Sequence, residues 1–181
     1  MHITLTGNLG SGKTTVCKLL ADRGFEIYST GTILRDIAKA RNLTALGVNE
    51  WVNTNRNIDF DIDREVTRVA AARPNDKIVF DSRMAWHFVP ASVKVFLAVD
   101  PKEGARRVYA DQSRGTVEQY ASPEEAEAQL AARTREERDR FLTIYGKDYL
   151  DMSNYDLVVD STKQSPEENF AMIMAAWEAT V

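Results

Sequence analysis

An α/β domain, with a mainly parallel sheet and helices on both of its faces, is predicted from three features of the sequence. Apolar, β-branched stretches of strand length recur at residues 2–6, 25–29, 77–81, 93–99 and 155–160, and segments with helical spacing separate them. A glycine-rich connection, Gly7–Thr14, joins the first strand to the first helix. Three later helices open on one signal, a Ser or Asp before Pro with Glu in the first turn: Asp100-Pro101-Lys102-Glu103, Ser122-Pro123-Glu124-Glu125 and Ser165-Pro166-Glu167-Glu168. Strands that alternate with helices give a three-layer α/β/α arrangement of five parallel strands joined by right-handed crossovers.

Taken in order, His2–Thr6 alternates as a buried strand does, and Val16, Leu19 and Leu20 then recur at helical spacing until Gly24 ends the helix. Cys17 falls inside that helix and is expected to be a small buried apolar group. Phe25–Ser29 is a short second strand. Thr30–Ala40 is a helix, with Ile33, Leu34, Ile37 and Ala38 expected on its inner face and Arg35 off it. Asparagines at 42, 49, 53, 55 and 57 weaken the next stretch, which reads as one short helix over Thr44–Thr54 and a turn. Helical spacing returns from about Asp59 to Ala72 and stops at the turn Arg73-Pro74-Asn75-Asp76. Lys77–Asp81 and Val93–Val99 are nearly continuous in apolar residues, as a parallel sheet covered on both faces requires. The Ser122 helix is heavily charged and runs towards Tyr145-Gly146, and Tyr155–Asp160 is the last strand. Phe170, Ile173, Met174 and Trp177 of the final helix share one face, expected to be core.

At 181 residues, with no repeat and no low-complexity linker, the chain is expected to be one domain spanning 1–181. Lys and Arg number 23 against 27 Asp and Glu, a net charge of −4, which weighs against a nucleic-acid partner. The single cysteine excludes an internal disulfide, and no apolar run reaches the length of a membrane span. With no charged-then-apolar leader, the expectation is a cytoplasmic protein with no membrane partner, a monomer or weak homodimer.

The chemistry starts at Gly7-Asn8-Leu9-Gly10-Ser11-Gly12-Lys13-Thr14, which fits G-x-x-x-x-G-K-[ST] without a mismatch between a strand and a helix. There the backbone N–H groups wrap a phosphate chain at a positive helix N-terminus, so the fold expected is that of a P-loop NTPase. Lys13 is expected to reach the β- and γ-phosphates, the Thr14 hydroxyl to hold Mg²⁺, and Thr15 to complete the ATP cradle. Asp81, a carboxylate at a strand end, is a candidate for the Mg²⁺ water shell opposite Thr14. Arg35 and Arg83 are candidate clamps for a second phosphate, since guanidinium grips phosphate oxygens in a fork. Arg133 and Arg140, seven apart on one helix face, are candidates to stabilise charge on a transferring phosphoryl group; the competing reading is a solvated helix tied by pairs such as Glu136–Arg140. His2 and His87 have no partners at metal spacing, and the three tryptophans read as packing residues, with Trp86 a candidate to line an acceptor pocket.

With these residues collected, the sequence resembles the nucleoside monophosphate kinases, and most closely the short cytidylate kinases of archaeal type. The resemblance spans nearly the whole chain and is carried by Gly7–Thr14, Ser29-Thr30-Gly31-Thr32-Ile33-Leu34-Arg35, Asp81-Ser82-Arg83, Arg133–Arg140, Ile144-Tyr145-Gly146 and Tyr155–Val158. It implies an ATP- and Mg²⁺-dependent kinase that converts a nucleoside 5′-monophosphate, CMP or dCMP, to its diphosphate. By the same resemblance Thr30, Arg35, Asp81 and Arg83 would bind the acceptor. Arg107 and Lys163, in the loop Asp160–Lys163, would lie near the adenine. Residues from about 41 to 63 would form a small helical acceptor-binding insertion, and a lid over about 113–140 would carry Arg133 and Arg140. The chain departs from the family where many members have Glu-Gly-Arg in place of Asp81-Ser82-Arg83. It departs again at Met84, where the classical bacterial type has aspartate. A kinase of the same fold with another small acceptor (AMP, UMP or a non-nucleotide) is the near alternative. A nucleotide-hydrolysing switch is the distant one, disfavoured by the lack of an obvious N-K-x-D.

Overall fold

The computed structural model describes residues 1–55, 57–111 and 120–180. Strand β1 (His2–Gly7) lies at the centre of a five-stranded sheet ordered β2-β3-β1-β4-β5, with β2 at Glu26–Ser29, β3 at Ile78–Asp81, β4 at Ser92–Ala98 and β5 at Leu157–Asp160. Every pairing is parallel, and β1 is in register with both neighbours, Ile3 opposite Val79 on one side and Val93 on the other. All six residues of β1 are buried: Ile3 and Leu5 enter one core, and the alternating Thr4 and Thr6 make side-chain hydrogen-bond contacts to Ser92 and to the Ser82 carbonyl oxygen on the other face.

Helices cover both faces, and the two-residue period of the strands decides which core each side chain enters. Ile3, Leu5, Val79, Val93, Val95 and Leu97 pack on one face with Val16 and Leu20 of α1 (Lys13–Asp22) and with Ile173 and Trp177 of α8 (Pro166–Glu178). On the other face Ile78 and Phe80 meet Val66 and Ala70 of α4 (Asn57–Ala72) and Ala85 of α5 (Ala85–Phe88). Met84, Trp86, Phe96, Phe141, Tyr149 and Tyr155 continue that layer beneath α7 (Pro123–Tyr145). Each fully buried side chain of this kind contributes roughly 1.5–3 kcal/mol.

Between β2 and α4 lie α2 (Thr30–Arg41) and α3 (Ala45–Thr54), held together by Ala38, Val48 and Trp51. Ser29 caps α2 by accepting from the Thr32 backbone N–H, and Asn42 ends it in the left-handed conformation at φ 53°. Ile33 departs from the expected inner face and is 37% exposed: Leu34 and Ala38 form the inward i,i+4 row, and Ile33 lies one position outside it. After β4, α6 (Pro101–Ala110) packs on α7 through Ala105, Val108, Ala126 and Leu130. The proline starts read from the sequence hold, with Asp100, Ser122 and Ser165 each accepting backbone N–H bonds and a full capping box at Ser165/Glu168. Cys17 is buried, and that burial holds its thiol well above the usual range. The short helix α5 is an addition to the elements expected. Residues 113–119 of the expected lid lie outside the described residues.

Candidate active site

The site forms where β1 gives way to α1. Gly7, Gly10 and Gly12 all have positive φ (157°, 77° and 87°), which turns successive backbone N–H groups towards one centre. A Cβ on Gly10 would lie 2.3 Å from the Gly104 carbonyl oxygen, so the loop rests directly on the backbone of α6. At Gly12 a Cβ would meet nothing within 4 Å, which leaves open space above the loop. Ser11 is 1% exposed and its Oγ has no hydrogen-bond partner among the described residues. An anion seated on the loop answers that orphaned hydroxyl, and the curled N–H groups fit phosphate.

Lys13 stands at the first turn of α1. Its ammonium donates to the Gly7 and Asn8 carbonyl oxygens, both at 3.0 Å, and so lies folded along the loop. Burial, reinforced by repulsion from the Arg83 guanidinium, pushes its pKa down to about 7, with Asp81 and Glu137 opposing. Thr14 and Thr15, by contrast, are exposed.

A cavity of about 760 Å³ opens over this loop. Along one wall it is lined by Thr30, Gly31 and Leu34 of α2 together with Asp81, Ser82 and Arg83 after β3. Thr30 donates to the Asp81 carbonyl oxygen at 3.3 Å, and Ser29 Oγ donates to Asp81 Oδ2 at 2.8 Å, which fixes the carboxylate at the strand end. Asp81 and Thr14 line the same cavity and offer hard oxygen donors, the set that Mg²⁺ prefers once phosphate oxygens and water fill the remaining positions. Among the described residues no cluster of three His, Cys, Asp or Glu side chains forms a metal site.

Arg83 donates through Nε to Glu137 Oε2 at 2.8 Å and through a terminal nitrogen to the Gly7 carbonyl oxygen at 2.7 Å. Arg133 donates through Nε to the other oxygen of Glu137 at 2.9 Å. Glu137 is 4% exposed; although burial opposes it, Arg83 and then Arg133 hold its carboxyl well below the usual carboxylate range. On the opposite wall Arg107 of α6 binds Glu103 at 2.7 Å and the Ser161 and Thr162 carbonyl oxygens at 2.9 and 3.1 Å, so it does lie against the loop after β5.

The cavity thus gathers the loop, Lys13, Thr14, Thr30, Asp81, Arg83, Arg107 and Arg133. Three expected residues fall elsewhere. Lys163 is exposed and outside the lining, its place taken by Gln164. Trp86 is 7% exposed in the core under α7. Arg140 sits in the interior, with its Nε 3.0 Å from Asp59 Oδ2 of α4. Seven residues keep one helix face but advance it about 10 Å, which carries Arg140 past the cavity that Arg133 lines. Arg35 belongs to α2, and its side chain lies outside what the structure describes.

Sequence reasoning missed Glu137 as the partner of both arginines; it named Glu136 in the helix pairing instead. The available signal was the i,i+4 spacing Arg133–Glu137, together with the carboxylate's place on the same face as Arg133. It also missed Asp59 and Asp63, two buried carboxylates on α4. Tyr145 donates to Asp63 Oδ2 at 2.5 Å, and burial, with repulsion from Asp59, pushes Asp63 up to about 7.

Comparison with known proteins gives the family and the fold. The description "Cytidylate kinase-like family" fits residues 2–163. The chain is similar, at 36% identity over 176 residues, to the cytidylate kinase of Pyrococcus furiosus, covering 96% of this chain and 86% of that protein. Among solved structures it is similar to an uncharacterized protein from Eubacterium ventriosum (TM-score 0.69, 18% identity, 98% of each chain covered). A shikimate kinase from Bacteroides thetaiotaomicron shares the fold at TM-score 0.61 and 16% identity, again with 98% of each chain covered.

Proposed function

The chain belongs to the cytidylate kinase-like family and is an enzyme, a nucleoside monophosphate kinase, and from that premise we propose that it transfers the γ-phosphoryl group of ATP to CMP or dCMP, giving the diphosphate and ADP. The observation that carries the reading is a single cavity with phosphate-binding groups on two sides, the Gly7–Thr14 loop with Lys13 on one and Arg83 with Arg133 on the other.

In this reading the loop N–H groups, the Ser11 hydroxyl and Lys13 hold the donor phosphates, and Lys13 exchanges its two carbonyl contacts for phosphate oxygens. Thr14 and Asp81 would hold Mg²⁺, which would offset the negative charge of the donor phosphates. Arg107, with the Ser161 and Thr162 backbone it holds, flanks the adenine side, and Lys163 stays outside the cavity. Thr30, Arg35 and Arg83 hold the acceptor phosphate in line with the γ-phosphorus, and Arg133 stabilises charge on the transferring group. The acceptor phosphate is largely ionised at neutral pH, with a second pKa of about 6. No general base is needed, and His2, buried at the start of β1, does not serve as one. Residues 41–63, including α3, form the acceptor-binding insertion and residues 113–140 the lid. Arg140 acts by anchoring α7 rather than by touching substrate. Among the described residues no helix is long and apolar enough to cross a membrane. Small nucleotides as partners, a cytoplasmic location and a monomer or weak homodimer belong to the same proposal.

The test is ADP formation against a panel of CMP, dCMP, UMP, AMP and small non-nucleotide acceptors. Rapid turnover with CMP or dCMP is expected, and Arg35→Ala should raise the acceptor KM. Turnover with a non-nucleotide alone would exclude the assignment.

A further inference from the structure

Glu137 sits where a negative charge is least expected. Its carboxylate lines the cavity with Lys13, Arg83 and Arg133, where it opposes the binding of phosphates. It is also held firmly in its charged form, because two guanidinium groups flank it inside the protein. A buried anion that repels the ligands of its own site has to serve the geometry of the site.

That geometry is a division of labour between two oxygens. Oε2 accepts from Arg83 Nε at 2.8 Å and Oε1 from Arg133 Nε at 2.9 Å. The two arginines have different roots. Arg83 follows β3 and is tied to the Gly7 carbonyl oxygen, so it moves with the sheet and the phosphate loop. Arg133 rides on α7, one turn before Glu137, and α7 packs on α6 beside that loop. A guanidinium offers five N–H donors, and Glu137 takes only the Nε–H of each, which leaves its hold compatible with phosphate contacts.

We propose that Glu137 is a positioning residue that couples the two halves of the reaction, one carboxylate setting the separation of Arg83 and Arg133 so that filling either phosphate site orders the other. The inference rests on the kinase reading above and adds to it a source of donor–acceptor synergy. Glutamine in place of Glu137 keeps the shape but presents one acceptor oxygen and one N–H₂ group, so it serves one arginine and turns away the other. Aspartate keeps the charge but is one methylene shorter and cannot span both.

The experiment uses the full chain and a non-hydrolysable ATP analogue, titrated calorimetrically with and without CMP, alongside steady-state kinetics. In the unaltered protein CMP should tighten the analogue by about fivefold or more. In Glu137→Gln and Glu137→Asp that ratio should fall towards one, and kcat should drop about 100-fold, the scale of one lost transition-state donor. Analogue affinity without CMP should not fall in either variant: Glu137→Gln removes a repelling charge, and Glu137→Asp keeps it. Thermal melts establish that each variant is folded. If Glu137→Gln is not, Arg133→Gln, which leaves Glu137 paired to Arg83, should show the same lost ratio. A ratio and kcat unchanged in folded Glu137→Gln, no synergy in the unaltered protein, or a rise in acceptor KM alone each overturns the inference. Failure of the unaltered protein to phosphorylate any nucleoside monophosphate sinks the kinase reading instead, so the two failures are told apart.

Discussion

Arg140 and Asp59 form an ion pair at 3.0 Å in the protein interior, with side chains 5% and 7% exposed, and it joins α7 to α4. Arg140 also lies 5.0 Å from the Phe141 ring centre. Glu137 stands three residues earlier on the same helix and faces the phosphate cavity. Within one turn the inner face of α7 therefore passes from the cavity, at Glu137, to a buried tie with α4, at Arg140.

Removing either partner breaks a buried ion pair. Asp59→Asn and Arg140→Met are each expected to cost about 3–5 kcal/mol of stability, while Asp59→Leu combined with Arg140→Met recovers much of it. Urea denaturation measures this, and a single variant losing under about 1 kcal/mol would contradict the assignment of Arg140 as a structural anchor.

Asp63 makes stability depend on pH in the opposite sense to an ordinary surface carboxylate. Its folded pKa is about 7, above the ordinary aspartate value of 3.8, so between those values the folded state holds the extra proton. Stability contributed by the neutral form is complete below the unfolded pKa and is lost as pH rises through 7. Asp63→Asn, which keeps an oxygen for Tyr145, should raise Tm, and by more at pH 8 than at pH 5. An equal gain at both values in thermal melts would show that Asp63 does not titrate in that window.

Lys13 gives nucleotide binding its own pH dependence. In the free protein its pKa is lowered to about 7, and donor phosphates favour the charged form. Binding above pH 7 therefore takes up a proton. Affinity for the ATP analogue should fall by up to about tenfold per pH unit from 7 to 9. Calorimetry in buffers of different ionisation heat reads the proton directly, and Lys13→Met should lose both the proton uptake and phosphoryl transfer.

Gly10 and Gly12 separate packing from function. Gly10→Ala puts a methyl 2.3 Å from the Gly104 oxygen and 2.7 Å from its Cα, backbone atoms with no freedom to move aside, so it should unfold the loop or the domain. Gly12→Ala meets no atom within 4 Å and costs only the left-handed strain of about 1–2 kcal/mol. It should stay folded by circular dichroism and lose ATP-analogue binding, because the methyl enters space the phosphates need. Unchanged binding in Gly12→Ala would place the anion elsewhere.

Much of this was legible in the sequence because it is written locally. The phosphate loop, the three proline-started helices and the apolar runs of β1, β3 and β4 depend on neighbours a few residues away, and they appear where periodicity and capping chemistry put them. What escaped depends on distant partners. Asp59 and Asp63 read as ordinary acids at the start of a helix, and only the packing of α4 against Arg140 and Tyr145 makes them buried groups. Glu137 reads as one charge among many on α7, and its role emerges only when Arg83, 54 positions away, meets its second oxygen. Arg140 shows the limit of helical periodicity, which tells which face a residue takes but not what lies opposite two turns further on.

The place of β1 in the sheet sets an order of events during synthesis. The phosphate loop is encoded first, but its supporting strand pairs on one side with β3 and on the other with β4, which ends at Ala98. Until that residue has left the ribosome, β1 lacks a complete ladder and presents a bare apolar edge. A nascent chain that ends before β4 is therefore expected to expose that edge and to lack the frame that holds the phosphate loop in its folded form.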